Sequence, residues 1–91
     1  MIRSFANKDT LRLFEQQHVS RFHAVERVAL RRLLLLNQAR SLRDLKGPGF
    51  GLEAMKGRRK GQHSIRINDQ WRLCFVWYGG DAFNVEVTDY H

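Results

Sequence analysis

Trp71-Arg72-Leu73-Cys74-Phe75-Val76-Trp77 is the stretch on which the fold turns. Large apolar residues stand at 71, 73, 75 and 77, the two-residue period of a strand with one buried face. His63-Ser64-Ile65-Arg66-Ile67 before it and Ala82-Phe83-Asn84-Val85-Glu86-Val87 after it read as two further strands, with turn residues between. Loops of about three residues, at 68–70 and 79–81, set Ile67 against Trp71 and Val85 against Phe75. A slip by one residue would turn the apolar set to water, so the register is specified. Trp71, Leu73, Phe75 and Trp77 then face one side. Ser64, Arg66, Arg72, Cys74, Glu86, Thr88 and, if the strand persists, Tyr90 face the other. A weaker strand is expected at 52–55.

Upstream the period is helical. Phe22, Val25, Ala29, Leu33 and Leu36 form a stripe that predicts a helix over 22–38, with Ser20 as its cap and Arg27, Arg31 and Arg32 off the stripe. A shorter helix follows Asn7 as N-cap, with Leu11 and Phe14 on one face and Asp9 in its first turn. Residues 2–5 make a short, half-apolar strand. Ser41-Leu42-Arg43-Asp44 has capping-box spacing and predicts one short helical turn. Gly47-Pro48-Gly49-Phe50-Gly51 is a loop by composition, and it lacks the strand-before, helix-after setting of a phosphate-binding loop. The expected fold is α+β, with an N-terminal short strand and two main helices packed on a C-terminal antiparallel sheet of about four strands. One domain over 1–91 accounts for the whole chain.

A chain of 91 residues buries roughly 60–65% of its unfolded surface, so its core is thin. Its single cysteine excludes an internal disulfide and a cysteine metal cluster, which favours a reducing, cytoplasmic setting. The first residues lack the apolar core of a signal peptide, and no run reaches the roughly 20 apolar residues of a membrane span. The net charge of +7 is uneven: residues 1–60 hold 14 Lys+Arg against 5 Asp+Glu, whereas 61–91 hold 2 against 4. Such a balance points to a polyanionic partner, nucleic acid before an acidic protein or an anionic membrane surface.

The register sets Arg66 across from Arg72, an arrangement that destabilises a sheet unless something relieves it. Either an anion such as a phosphodiester bridges the two guanidiniums, or an acid such as Glu86 neutralises one. Met55-Lys56-Gly57-Arg58-Arg59-Lys60-Gly61 is the densest basic segment, on a loop beside the polar sheet face, where Lys56, Arg58, Arg59 and Lys60 can follow an RNA backbone. Thr88-Asp89-Tyr90-His91 closes the chain with acid–base groups. Ribonuclease chemistry without a metal needs one group to take the 2′-hydroxyl proton, one to protonate the leaving oxygen, and cations for the phosphorane. His91 titrates near neutral pH; Asp89 orients it or acts as base; Tyr90 stacks on a base or passes a proton. His18 and His23 are five apart, which does not suit one helical face, and no cysteine or paired carboxylate stands at ligand spacing, so no metal site is expected. His63 falls on the apolar side of its strand, and Cys74 has no activating histidine.

Gly61 through Phe75, with the W-R-hydrophobic-x-F pattern at 71–75, together with the terminal Asp89-Tyr90-His91 and the opening Met1-Ile2-Arg3-Ser4-Phe5, resembles the HigB or plasmid-maintenance killer group of the RelE superfamily over nearly the whole chain. The resemblance implies a RelE-like fold and a toxin that inhibits translation by cutting messenger RNA in the ribosomal 30S A site. It implies 2′-hydroxyl attack on the adjacent phosphate without metal or other cofactor, and a helix-turn-helix antitoxin partner of the HigA kind. By the same resemblance Arg72 holds phosphate, Asp89, Tyr90 and His91 position and cleave RNA, and Lys56 and Arg58 face it. Some members carry a histidine where Glu53 stands here, so Glu53 either substitutes as a base or leaves cleavage slower. The alternative is a noncatalytic protein that blocks translation by occupying RNA or the ribosome. A DNA-binding module is disfavoured because no recognition helix stands out.

Overall fold

Around the Trp71–Tyr78 strand (β3) the computed structural model, which describes residues 1–89, builds a four-stranded antiparallel sheet. Its order is β1 (Glu53–Ala54), β2 (His63–Arg66), β3 and β4 (Asp81–Asp89). Helices α1 (Lys8–Phe14) and α2 (Glu26–Gln38) belong to the core on one side of it. The α2 stripe is buried as its periodicity predicts, with Ala29, Leu33 and Leu36 meeting Ile65, Leu73, Phe75, Val85 and Val87 in one cluster. Phe75 and Leu73 are fully buried, and Trp71 and Trp77 lie half-buried at either end of β3.

The register is as expected where it matters: Arg66 pairs with Arg72 and Ser64 with Cys74. On the other side of β3 the route differs. The β3–β4 turn has two residues, Gly79 and Gly80, both at positive φ, rather than about three. That shortens the hairpin by one position, and Asn84, at φ 51°, restores it as a bulge between Cys74↔Glu86 and Val76↔Phe83. Beyond the bulge Arg72 pairs with Thr88 and Trp71 with Asp89.

The outer edge of β4 is closed by the start of the chain. Ile2 and Phe5 bridge Ala82 and Val85 in parallel, and the backbone bonds Ala82 N to Met1 O and Val85 N to Ser4 O are both 3.0 Å or shorter. Asn84 N donates to Ser4 Oγ at 2.8 Å, and the buried Thr10 hydroxyl accepts from Val87 N at 3.1 Å. This corrects the expected face of α1. Thr10 and Leu13 turn inward and Leu11 is exposed, because the β4 edge needs the Thr10 oxygen. The Asn7 cap forms, accepting from Thr10 N at 2.8 Å. The Asp44 carboxylate accepts from Arg40 N and Ser41 N at 2.9 and 3.3 Å, completing the expected capping box. These two bonds hold the Asp44 carboxyl below its usual range.

The helix expected over 22–38 is divided. Ser20–Val25 is a 3₁₀ segment, and the α-helix begins at Glu26; Val19, not Ser20, precedes the 3₁₀ turn, without a side-chain cap. Phe22 and Val25 are buried along with Val19, and the tighter winding serves to point all three inward over a short span.

Candidate RNA-binding face

The sheet face away from the helices is covered by the chain's own arginines. Arg72, the central residue, is only 14% exposed at its side chain. Its Nε donates to Ser64 Oγ at 2.7 Å, and an NH2 group donates to the carbonyl of Gly51 and lies 3.8 Å from Glu53 Oε1. Ser64 and Cys74 beneath this layer are fully buried, although neither belongs to the helix-side core. Burial raises the Cys74 thiol above its ordinary range, against a smaller pull from Arg59, so it is held as the unreactive neutral form.

Gly51 makes the Arg72 anchor possible. Its φ of +55° suits glycine, and a Cβ there would stand 3.5 Å from Arg66 Cβ. The loop at 47–51 is therefore more than a break in the chain. Phe50 O accepts from Arg66 N, the Phe50 ring lies under the Arg32 guanidinium at 4.8 Å, and Arg32 Nε donates to Arg66 O at 2.9 Å. Burial, then the charges of Arg31 and Arg66, push the Arg32 guanidinium downward from its usual pKa. Arginine remains charged even so, and the three side chains concentrate positive potential beside the loop.

The like-charge conflict between Arg66 and Arg72 is relieved by acids, and Glu86 is not one of them. Arg66 pairs with Asp69 and Arg72 with Glu53. Glu86 instead takes Arg59, at 3.2 Å, while the same guanidinium reaches Gln62 and Thr88 at 3.1 and 3.4 Å. Arg59 thus folds onto the sheet, whereas Lys56, Arg58 and Lys60 stay exposed around it. A groove of about 280 Å³ is lined by Glu53, the residue that meets Arg72, and by Ala54, Met55 and Lys56.

Asp89 lies at the end of β4, opposite Trp71, one position past the Arg72–Thr88 pair; Gln70 Nε2 donates to it at 3.0 Å. Tyr90 and His91 lie outside the described residues. His63 stacks on Phe75, with 6.4 Å between ring centroids, on the apolar side as expected.

His18 and His23, whose spacing does not suit one α-helical face, nonetheless meet, with 5.8 Å between ring centroids. The 3₁₀ turn brings them together with Glu26, one ligand atom from each lying within 4.8 Å of the others. An α-helix would set residues five apart on different faces, but Ser20–Val25 is wound as a 3₁₀ turn.

Two helices on one side of a meander whose other side is a layer of anchored guanidiniums make a small α+β domain with one basic face. A family model described as "RelE-like toxin of type II toxin-antitoxin system HigB" matches residues 3–91, and the chain belongs to this HigB-like toxin family. It is 34% identical to Endoribonuclease HigB of Proteus vulgaris over 93 aligned positions that span all of both chains. It is 40% identical to Toxin HigB-1 of Vibrio cholerae over 62 positions, covering 67% of this chain and 65% of that one. Its fold is similar to that of two YoeB–YefM complexes from Staphylococcus aureus, with TM-scores of 0.63 and 0.61 at 14% and 18% identity, over all of this chain and 98% of each matched chain. As the toxin of a type II pair, it has an antitoxin as partner. Among the described residues no helix is long and apolar enough to cross a membrane.

Proposed function

We propose that the chain is a cytoplasmic endoribonuclease that cleaves messenger RNA on the ribosome, in the 30S A site, and is restrained by a helix-turn-helix antitoxin of the HigA kind. The observation that carries the reading is the anchored Arg72, its guanidinium held between Ser64, Gly51 and Glu53 beside a groove edged by Lys56. A cation fixed this way stabilises charge on a phosphorane without reorganising at the moment of reaction. Lys56, Arg58 and Lys60, with Arg66, bind the RNA backbone; Arg59 shapes the surface from within. The 2′-hydroxyl attacks the adjacent phosphorus, its proton passing to a base and the leaving 5′-oxygen taking a proton from an acid. Tyr90 and His91 supply these groups, while Asp89, paired with Trp71 and so on the helix side of the sheet, acts by orienting the residues that follow it. Glu53 is engaged with Arg72 and acts by orienting it. Relatedness to a protein named an endoribonuclease supports cleavage over mere occupancy.

Mapping RNA 5′ ends after brief expression, with and without intact ribosomes, tests this. New ends within messenger RNA are expected with the native chain and are lost in Arg72→Ala and His91→Ala. Growth inhibition that persists in the native chain without new ends would replace the reading by the noncatalytic one.

A further inference from the structure

We propose that His18, His23 and Glu26 form a binding site for a single divalent transition-metal ion of the Zn²⁺ class, on the helical side of the molecule and apart from the RNA-binding face. In a 3₁₀ segment residues i and i+3 eclipse, which sets His23 and Glu26 in one line where Ser20–Val25 passes into α2. His18 approaches from the preceding loop: its Nδ1 is 3.8 Å from Glu26 Oε1, and its ring meets that of His23 edge-on, with 5.8 Å between centroids. One ligand atom from each residue lies within 4.8 Å of the others. Bonds of roughly 2.0–2.1 Å in a tetrahedral zinc site place ligand atoms about 3.4 Å apart. The required closure, at most about 1.4 Å, is within the reach of side-chain rotation at a surface.

The backbone carrying these ligands is already fixed. Val19, Phe22 and Val25 are buried, and each lies next in sequence to one of the three ligands, so the segment is pinned at every position where it offers one. Phe22 also meets Trp71 edge-to-face at 5.6 Å. Two imidazoles and one carboxylate suit Zn²⁺ and its neighbours, whereas Mg²⁺ and Ca²⁺ prefer oxygen donors throughout. Three protein ligands leave the fourth position to water.

The test is calorimetric titration of the full, untagged chain with Zn²⁺ alone and with Mg²⁺ alone, alongside thermal unfolding. A single equivalent of Zn²⁺ and a rise in Tm are expected, with no uptake of Mg²⁺. Loss of an outer-shell partner alone costs metal sites about 10–100-fold in affinity, so His18→Ala and His23→Ala should each exceed that. Glu26→Gln should weaken binding less. The two histidines are exposed, so these variants retain the fold. Absence of Zn²⁺ binding, or affinity unchanged in the double variant His18→Ala/His23→Ala, would overturn the site. Because the readout is metal uptake, it stands or falls separately from RNA cleavage.

Discussion

Arg72 Nε and Ser64 Oγ, on adjacent strands, are joined by a 2.7 Å hydrogen bond beneath which Ser64 has no exposed surface. The bond fixes the plane of the guanidinium before RNA arrives. Arg72→Ala should lower kcat/KM for RNA cleavage by about 10²–10³-fold, the usual cost of one preorganised donor. Lysine at this position keeps the charge without the fork and should recover little of the loss. Initial rates on purified variants check both, and wild-type rates in Arg72→Ala would remove this residue from the chemistry.

Ser64→Ala leaves the Arg72 Nε without its partner. A loss of about 1–3 kcal/mol in urea unfolding is expected, together with a fall in cleavage smaller than that of Arg72→Ala.

Arg59 and its lysine neighbours should separate cleanly. Arg59→Ala breaks a half-buried pair with Glu86 and two further hydrogen bonds, and should cost about 1–2 kcal/mol of stability. Lys56→Ala and Lys60→Ala should leave stability nearly unchanged. Each should instead reduce the slope of log K against log salt for single-stranded RNA by about 0.7.

Gly51→Ala tests the loop that holds Arg72. At φ +55° an alanine costs about 1–2 kcal/mol, and displacement of the Gly51 carbonyl should loosen Arg72. Cleavage should fall together with thermal stability.

Asp44 carries a pH dependence of known sign. Its carboxyl is held down chiefly by the N–H groups of Arg40 and Ser41, so the charged form stabilises the fold. That contribution is fully present above the ordinary carboxyl value of 3.8 and is lost as pH falls through the lower folded value. Denaturant curves for the native chain and Asp44→Ala should therefore differ at pH near neutrality and converge in strong acid.

The central sheet was legible because alternation is an all-or-none signal: Trp71, Leu73, Phe75 and Trp77 admit one inward face, and the Arg66–Arg72 pair follows from it. The Asn7 cap and the Asp44 capping box were equally open, being local spacings. The shorter Gly79-Gly80 turn and the Asn84 bulge escaped notice because their effects on register cancel. Arg59 and Gly51 escaped for another reason. In sequence Arg59 reads with its neighbours as a contact to RNA and Gly51 as a break, and only the folded chain brings them to Glu86 and Arg72. The His18–His23–Glu26 group was hidden by assuming α-helical spacing in a segment wound more tightly.

Closure of the β4 border by residues 2–5 and by Thr10 reaches beyond stability. The opposite border, β1, is two residues long. A sheet sealed on one flank and truncated on the other offers little for a neighbouring chain to zip onto, which guards against cross-β polymerisation when the toxin accumulates.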